Sequence, residues 1–229
     1  MERPYIHINV AATADGKIDT VERHGASISS GRDKERVDRL RAEADAVMVG
    51  GRTLHDETPK LTVKSERLRE QRLARGLPAN PAKVGIASKL ELEPDCEFLT
   101  AGPARIMLFT TLQTGQAQLA MLRSRNAEVF VLGEDHVDLA VAMGVLNKHG
   151  VRRLLVEGGG SLNFELMDLG LADELTAYIA PIIFGGATAP TMADGAGRPG
   201  TAALPLKLVR SEAWEDGGVL LHYQFLKEG

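Results

Sequence analysis

The apolar and polar positions change period repeatedly along the chain, and each change marks an element. Near the N-terminus "PYIHINVAA" is rich in β-formers and predicts a strand ending near Ala12. "SGRDKERVDRLRAEA" switches to a helical period, with Val37, Leu40 and Ala44 on one face and Ser30 placed to cap it. "DAVMVGG" is apolar without interruption and ends in glycines, the pattern of a strand covered on both faces. Residues 64–75 are dense in charge and predict an exposed helix or loop. Three more strand-like runs follow, "AKVGIAS", "ARIMLFT" and "AEVFVLG", together with the helical patterns "GQAQLAMLRSR" and "VDLAVAMGVLNKHG". "VRRLLVEGGG" predicts another strand, and "SLNFELMDLG" the helix after it.

Strands alternating with helices predict an α/β fold: a mostly parallel central sheet with helices on both faces. The C-terminal part breaks the alternation. "ADELTAYIAPIIFGG" reads as a strand, and residues 185–205 form a loop rich in Gly, Ala and Pro. "LKLVRSEAWEDGGVLLHYQFL" reads as two strands around the hairpin signal Asp216-Gly217-Gly218, so antiparallel strands are expected at the C-terminal end. There is no internal repeat and no convincing linker, and residues 1–229 read as a single domain.

Composition narrows the function classes. Apolar residues are 44% and charged residues 25%, as in ordinary globular proteins, and the net charge of −4 implies no general attraction to nucleic acid or to an anionic membrane. The single cysteine, Cys96, rules out a disulfide within the chain and points to a reducing compartment. No apolar run reaches the ~18–20 residues of a membrane span, and the charged start "MERPYIHINV" lacks the pattern of a signal peptide. A cytoplasmic location is expected. The six histidines have no metal-ligand spacing, and neither HExxH nor CxxC occurs, so no metal is expected.

The candidate chemistry centres on "RLLVEGGGSLN". An apolar strand stops at one carboxylate, Glu157, and three glycines follow, Gly158, Gly159 and Gly160. Glycines between a strand and a helix leave backbone N–H groups open at the helix N-terminus, where phosphate binds well; a tight turn is the plainer reading of the same residues. Thr53 follows the second strand, at the edge where open α/β sheets bind ligands. Arg41 on the preceding helix and Lys64 suit a phosphate, although most such cations are merely solvated. In "ATADGKI", Asp15 and Lys17 offer hydrogen bonds to a polar substrate, or else only a turn.

Taken together, "ATADGKI", "RVDRLRAEADAVMVGGRT", "PKLTVK", "LLVEGGGSLN" and "ADELTAYIAPIIFGG" resemble the stand-alone pyrimidine reductases of riboflavin biosynthesis. These are related to the C-terminal reductase domain of bifunctional deaminase-reductases, and the likeness runs nearly end to end. It implies a dihydrofolate-reductase-like fold, a homodimer, NADPH as cofactor and a pyrimidine ribosyl phosphate as substrate. The ribosylamino side chain would be reduced to ribitylamino. By the same resemblance Ala11, Thr53, Glu57, Ser88, Gly158, Gly159, Gly160, Ser161 and Leu162 would hold NADPH. Arg41, Leu61, Lys64 and Glu157 would bind the substrate, with Arg41 and Lys64 at its phosphate. Glu157, Asp15 and Lys17 are the candidate catalytic groups.

The chain departs from that pattern in places. The family usually has two aspartates where this chain has Glu57 and Thr58, with Asp56 one place earlier, and often has Arg at Lys64. Arg52, Lys89 and Arg105 are candidates for the 2′-phosphate of the cofactor. The favoured substrate is 2,5-diamino-6-ribosylamino-4(3H)-pyrimidinone 5′-phosphate. The deaminated uracil, a pterin, and a non-catalytic nucleotide sensor are the alternatives.

Overall fold

The computed structural model describes residues 2–226. The chain forms two compact units, one from Met1–Pro4 and Arg36–Leu155, the other from Tyr5–Glu35 and Val156–Gly229. The boundaries fall within a helix and within a strand, which is why no linker composition announces them.

The first unit is built on β2 (Ala46–Gly50), β3 (Ala82–Ile86), β4 (Ile106–Thr110) and β5 (Ala127–Val131), paired in parallel in that order, with β6 (Arg153–Val156) beyond β2. β2 and β4 are buried at every position, as their unbroken apolar runs require. Asp45 starts the β2 edge: its N–H donates to Arg153 O, and its carboxylate accepts from Arg152 and Arg153 N–H at 2.8 Å each. The core includes Val47, Val49, Leu54, Leu61, Phe98, Leu108, Leu122 and Leu155. Gly85 has a packing reason. A Cβ there would lie 2.7 Å from side-chain carbons of both Leu54 and Leu108.

Helix α1 (Gly31–Glu43) begins as its sequence predicts, with Ser30 Oγ accepting from Asp33 N at 3.2 Å. Its C-terminal end is closed by a residue far along the chain. Arg72 on α2 (Glu66–Ala74) is 2% exposed and donates to Ala42 O, Ala44 O and Pro78 O, each at 2.8 Å. The charged run is thus a helix as expected, but one of its arginines is buried as a cap for unpaired carbonyls. The remaining helices of this unit are α3 (Glu97–Thr100), α4 (Gln116–Ser124) and α5 (Leu139–Lys148). The four-residue α3 is too short to show a period in the sequence.

The second unit holds β1 (Tyr5–Thr13), α6 (Gly160–Asp168), β7 (Glu174–Ala180), β8 (Leu206–Ala213) and β9 (Val219–Phe225), with strand order β1-β7-β9-β8. β1 and β7 are parallel, pairing His7 with Glu174 and Ala11 with Tyr178. β9 runs antiparallel to both β7 and β8, so the switch expected at the C-terminal end is present. Trp214 N donates to Gly218 O at 2.8 Å in the hairpin turn, where Gly217 takes φ +82°. Ile28, Tyr178, Ala180, Trp214 and Leu220 form its core cluster, with Ala11 packed against it. No helix among the described residues is long and apolar enough to cross a membrane.

Lys83 on β3 is fully buried, and its Nζ donates to Phe98 O at 2.9 Å and Ala101 O at 2.5 Å. Burial lowers its pKa from 10.5 to about 8. Between those values the unfolded chain holds a proton that the folded chain has released, so stability rises with pH. Chemical denaturation at pH 7.5 and pH 10 should show wild type gaining on Lys83→Met by up to about 3 kcal/mol. An unchanged difference would mean that the buried amine keeps its proton.

Candidate active site

In the first unit Thr53, Glu57 and Ser88 follow the C-terminal ends of β2 and β3, whereas Arg41 precedes β2 and the segment carrying Leu61 and Lys64 is tied to α1 and to Asn80, which precedes β3. The strand order reverses beside β2, the kind of edge where open α/β sheets bind ligands. The chain leaves β2 through Gly51, where a Cβ would lie 3.0 Å from Ala87 Cβ, and enters a π-helical turn, Thr53–Glu57. Such turns are rare and frequent at functional sites. Thr53 is half-buried at its start, Leu54 anchors it in the core and Glu57 is exposed. Thr58 and Leu61 then take positive φ, +41° and +49°, costly for residues with a Cβ and common at ligand sites.

Four side chains hold the next stretch. Asp38 on α1 accepts from Lys64 N at 2.6 Å and Ser65 N at 2.8 Å. Arg69 Nη1 donates to Val63 O and Lys64 O, Asn80 Oδ1 accepts from Val63 N, and Arg41 Nη1 donates to Thr62 O at 3.2 Å. Arg41 and the segment carrying Leu61 and Lys64 are therefore brought together. The Leu61 side chain is 1% exposed within the core, so the group it can present to a ligand is its backbone. Lys64 is exposed, a point charge on a flexible stem. Ser88, two residues past β3, is braced through its carbonyl by Thr110 and Thr111 hydroxyls at 3.1 and 2.7 Å.

In the second unit Glu157 is half-buried directly after β6, and the three glycines following it differ in role. Gly158 takes φ +98° and has open space where a Cβ would stand; its peptide bond to Gly159 is cis. Gly159 is the N-cap of α6 and supplies no side-chain cap, so the first-turn N–H groups at Gly160, Ser161 and Leu162 have no acceptor from it. Gly160 is glycine because a loop packs on it: a Cβ would collide with Thr191 O and lie 2.9 Å from Asp194 Oδ2. Ser161 is exposed and Leu162 buried.

Asp15 and Lys17 lie in a hydrogen-bonded turn after β1. Asp15 accepts from Thr13 Oγ1 at 2.5 Å, Phe184 N at 3.3 Å and Gly185 N at 2.7 Å. The Thr13 hydroxyl bond, the largest cause, lowers its pKa, with the backbone donors acting in the same direction. Lys17 Nζ donates to Ala189 O at 3.2 Å.

The RibD C-terminal domain family model matches residues 4–220. The chain belongs to that family. It is 41% identical to the 2,5-diamino-6-ribosylamino-4(3H)-pyrimidinone 5′-phosphate reductase of Archaeoglobus fulgidus, over 84% of this chain and 87% of that one. It is 38% identical to the enzyme of the same name from Methanothermobacter thermautotrophicus, over 91% and 93%. A pyrimidine reductase-like protein from Corynebacterium diphtheriae shares the fold, with TM-score 0.83 at 20% identity, covering 98% of this chain and 93% of that one.

Within this RibD-type chain the sequence reading missed the residues that hold the candidate segments: Asp38, Arg69 and Asn80 in the first unit, Asn163 and Asp194 in the second. Asp38 alone had a signal, one turn before Arg41 on the helix. Arg105 precedes β4, at the opposite strand end from Ser88, and binds the Glu128 carboxylate with two nitrogens at 2.5 and 2.8 Å. Among the described residues no group of three or more His, Cys, Asp or Glu could hold a metal ion.

Asp38→Ala leaves Lys64 N and Ser65 N without their acceptor. Chemical denaturation should show a loss of about 2–3 kcal/mol. A loss near zero would mean that this clamp contributes nothing to the fold.

Proposed function

We propose that this chain is an NADPH-dependent 2,5-diamino-6-ribosylamino-4(3H)-pyrimidinone 5′-phosphate reductase. The observation that carries the reading is the 41% identity, nearly end to end, with a reductase of that name. Two further relatives of the same name, at 38% and 32%, support it over the deaminated uracil, since RibD proteins match at 28–30% and over about half their length. The family match runs through both units, which supports one reductase domain over residues 1–229. A homodimer is the assembly the resemblance implies, and the cytoplasm is the location the composition favours.

The residues of the second unit fit a dinucleotide. A helix without a side-chain cap, preceded by glycines and with open space at Gly158, accepts an anion without displacing a protein group. Residues 158–162 would hold the pyrophosphate, and Ala11, Thr53, Glu57 and Ser88 would contribute other contacts. Glu57 stands in for the usual aspartate.

A bound nicotinamide supplies the hydride that reduces the imine carbon, C1 of the ring-opened ribose. Glu157 accepts hydrogen bonds from the amino-pyrimidine and orients it. Arg41 and Lys64 would bind the 5′-phosphate, with the Leu61 backbone contributing to the same contacts. Fixing a substrate at two points removes much of the entropic barrier to reaction. Asp15 acts as an anion that fixes its turn, because its accepted hydrogen bonds stabilise the ionised form. Lys17 is left as the candidate proton donor of that pair.

A steady-state assay with both pyrimidines and both nicotinamide cofactors tests the reading. Turnover of the diamino-pyrimidinone with NADPH is expected, and faster turnover of the uracil would favour the RibD-type reaction. NADPH binding without oxidation of NADPH by either pyrimidine would identify a sensor.

Arg41→Ala and Lys64→Ala should each weaken the phosphorylated pyrimidine by about 1.5–3 kcal/mol and leave the dephosphorylated compound little changed. Equal losses for both compounds would remove the phosphate from these cations.

Glu157→Gln replaces one acceptor with a donor that faces the substrate's own donors. Its kcat/KM should fall about tenfold to a hundredfold, with NADPH affinity changed much less. Lost cofactor affinity with normal handling of the pyrimidine would place Glu157 with the cofactor instead.

A further inference from the structure

The loop after β7 touches both candidate segments of the second unit. At its start Phe184 and Gly185 N–H groups serve Asp15. Further on, Ala189 O accepts from Lys17 Nζ, and Pro190 O accepts from Ile18 N at 2.9 Å. At its far end Asp194 N donates to Gly160 O at 3.0 Å, and Met192 O accepts from Asn163 Nδ2 at 2.9 Å. The Asp194 carboxylate closes this end on itself by taking Thr191 N at 3.1 Å and Thr191 Oγ1 at 2.6 Å. The Thr191 carbonyl and Asp194 Oδ2 then fill the space that a side chain on Gly160 would need.

Asn163 is the unusual member. It lies in the first turns of α6, it is 0% exposed, and its Oδ1 has no hydrogen-bond partner. A buried amide with an unmet oxygen is unfavourable, and an apolar side chain of similar size would avoid that cost. What the asparagine supplies in return is its bond to Met192, which seats the loop against the turn at Gly160.

We propose that Asn163 is a positioning residue for the dinucleotide turn, acting through Met192 and Asp194 to fix the first-turn N–H groups of α6. This rests on the reading of residues 158–162 as the cofactor turn. The loop thereby sets the affinity for NADPH through the aim of three backbone donors, and the pyrimidine phosphate, held by Arg41 and Lys64, is read independently of it.

The test uses Asn163→Asp, nearly isosteric but unable as a carboxylate to donate to Met192 O, and Asp194→Ala. Gly159→Asp serves as a direct block of the turn. NADPH affinity is measured by fluorescence titration without substrate, beside pyrimidine-phosphate affinity and the melting temperature. Asn163→Asp and Asp194→Ala should each weaken NADPH about five- to tenfold, with the pyrimidine phosphate within about twofold of wild type. If either variant fails to fold, Thr191→Val removes the hydroxyl that bonds Asp194 and Ala193 O and should shift NADPH affinity in the same direction by a smaller factor. A lower melting temperature with unchanged NADPH affinity in the folded variants overturns the proposal and leaves a purely structural asparagine. If Gly159→Asp weakens NADPH while the loop variants do not, positioning fails and the cofactor reading stands. If none of them changes NADPH binding, both fall.

Discussion

A loop that leaves a sheet edge carries its amides and carbonyls away from the ladder that would have paired them, and each one left dry needs another partner. Asp38, Arg69 and Asn80 meet that need between Val63 and Ser65. Arg72 meets it at the end of α1, and Asp15 and Asn163 do so along the loop after β7. The segments that carry candidate chemistry are thus shaped mainly by single side chains bonded to backbone. Positive φ at Leu61 sits beside this network, with the buried Leu61 side chain offsetting the local strain.

The three glycines after Glu157 show that one composition can satisfy separate demands. Gly158 answers a backbone conformation, Gly159 ends the chain's approach to a helix that no side chain caps, and Gly160 yields to a neighbouring loop. Gly160 thereby joins this turn to residues far along the chain.

Most of the framework was legible because it rests on local pattern. β2 and β4 are buried along their whole length and read as unbroken apolar runs; α1 carries its cap in Ser30; the final hairpin carries Asp216-Gly217-Gly218. What escaped depends on contacts between distant segments. The π-helical turn at Thr53 exists with Leu54 packed over Gly85, and neither residue reports the other in the sequence. The burial of Arg72 is invisible within a run of charge, and the division into two units falls inside α1 and β6. For the candidate site, Glu157 and its glycines stood out as an anomaly, whereas Leu61 and Ser88 came from resemblance alone. Their supports, Asp38 and Asn163, had little or no mark of their own.

The arginines around α2 differ in what they allow a protein engineer to change. Arg67 and Arg75 are exposed, whereas Arg69 reaches the carbonyls of Val63 and Lys64 and Arg72 those of Ala42, Ala44 and Pro78. Arg72 uses Nε and Nη1 together, a planar fork that lysine's single nitrogen on a flexible stem cannot reproduce, and glutamate has no donor for either position. Recoding this helix for solubility or crystallisation, with lysine or glutamate substituted freely, would be harmless at two of the four positions and would dismantle loop anchoring at the other two.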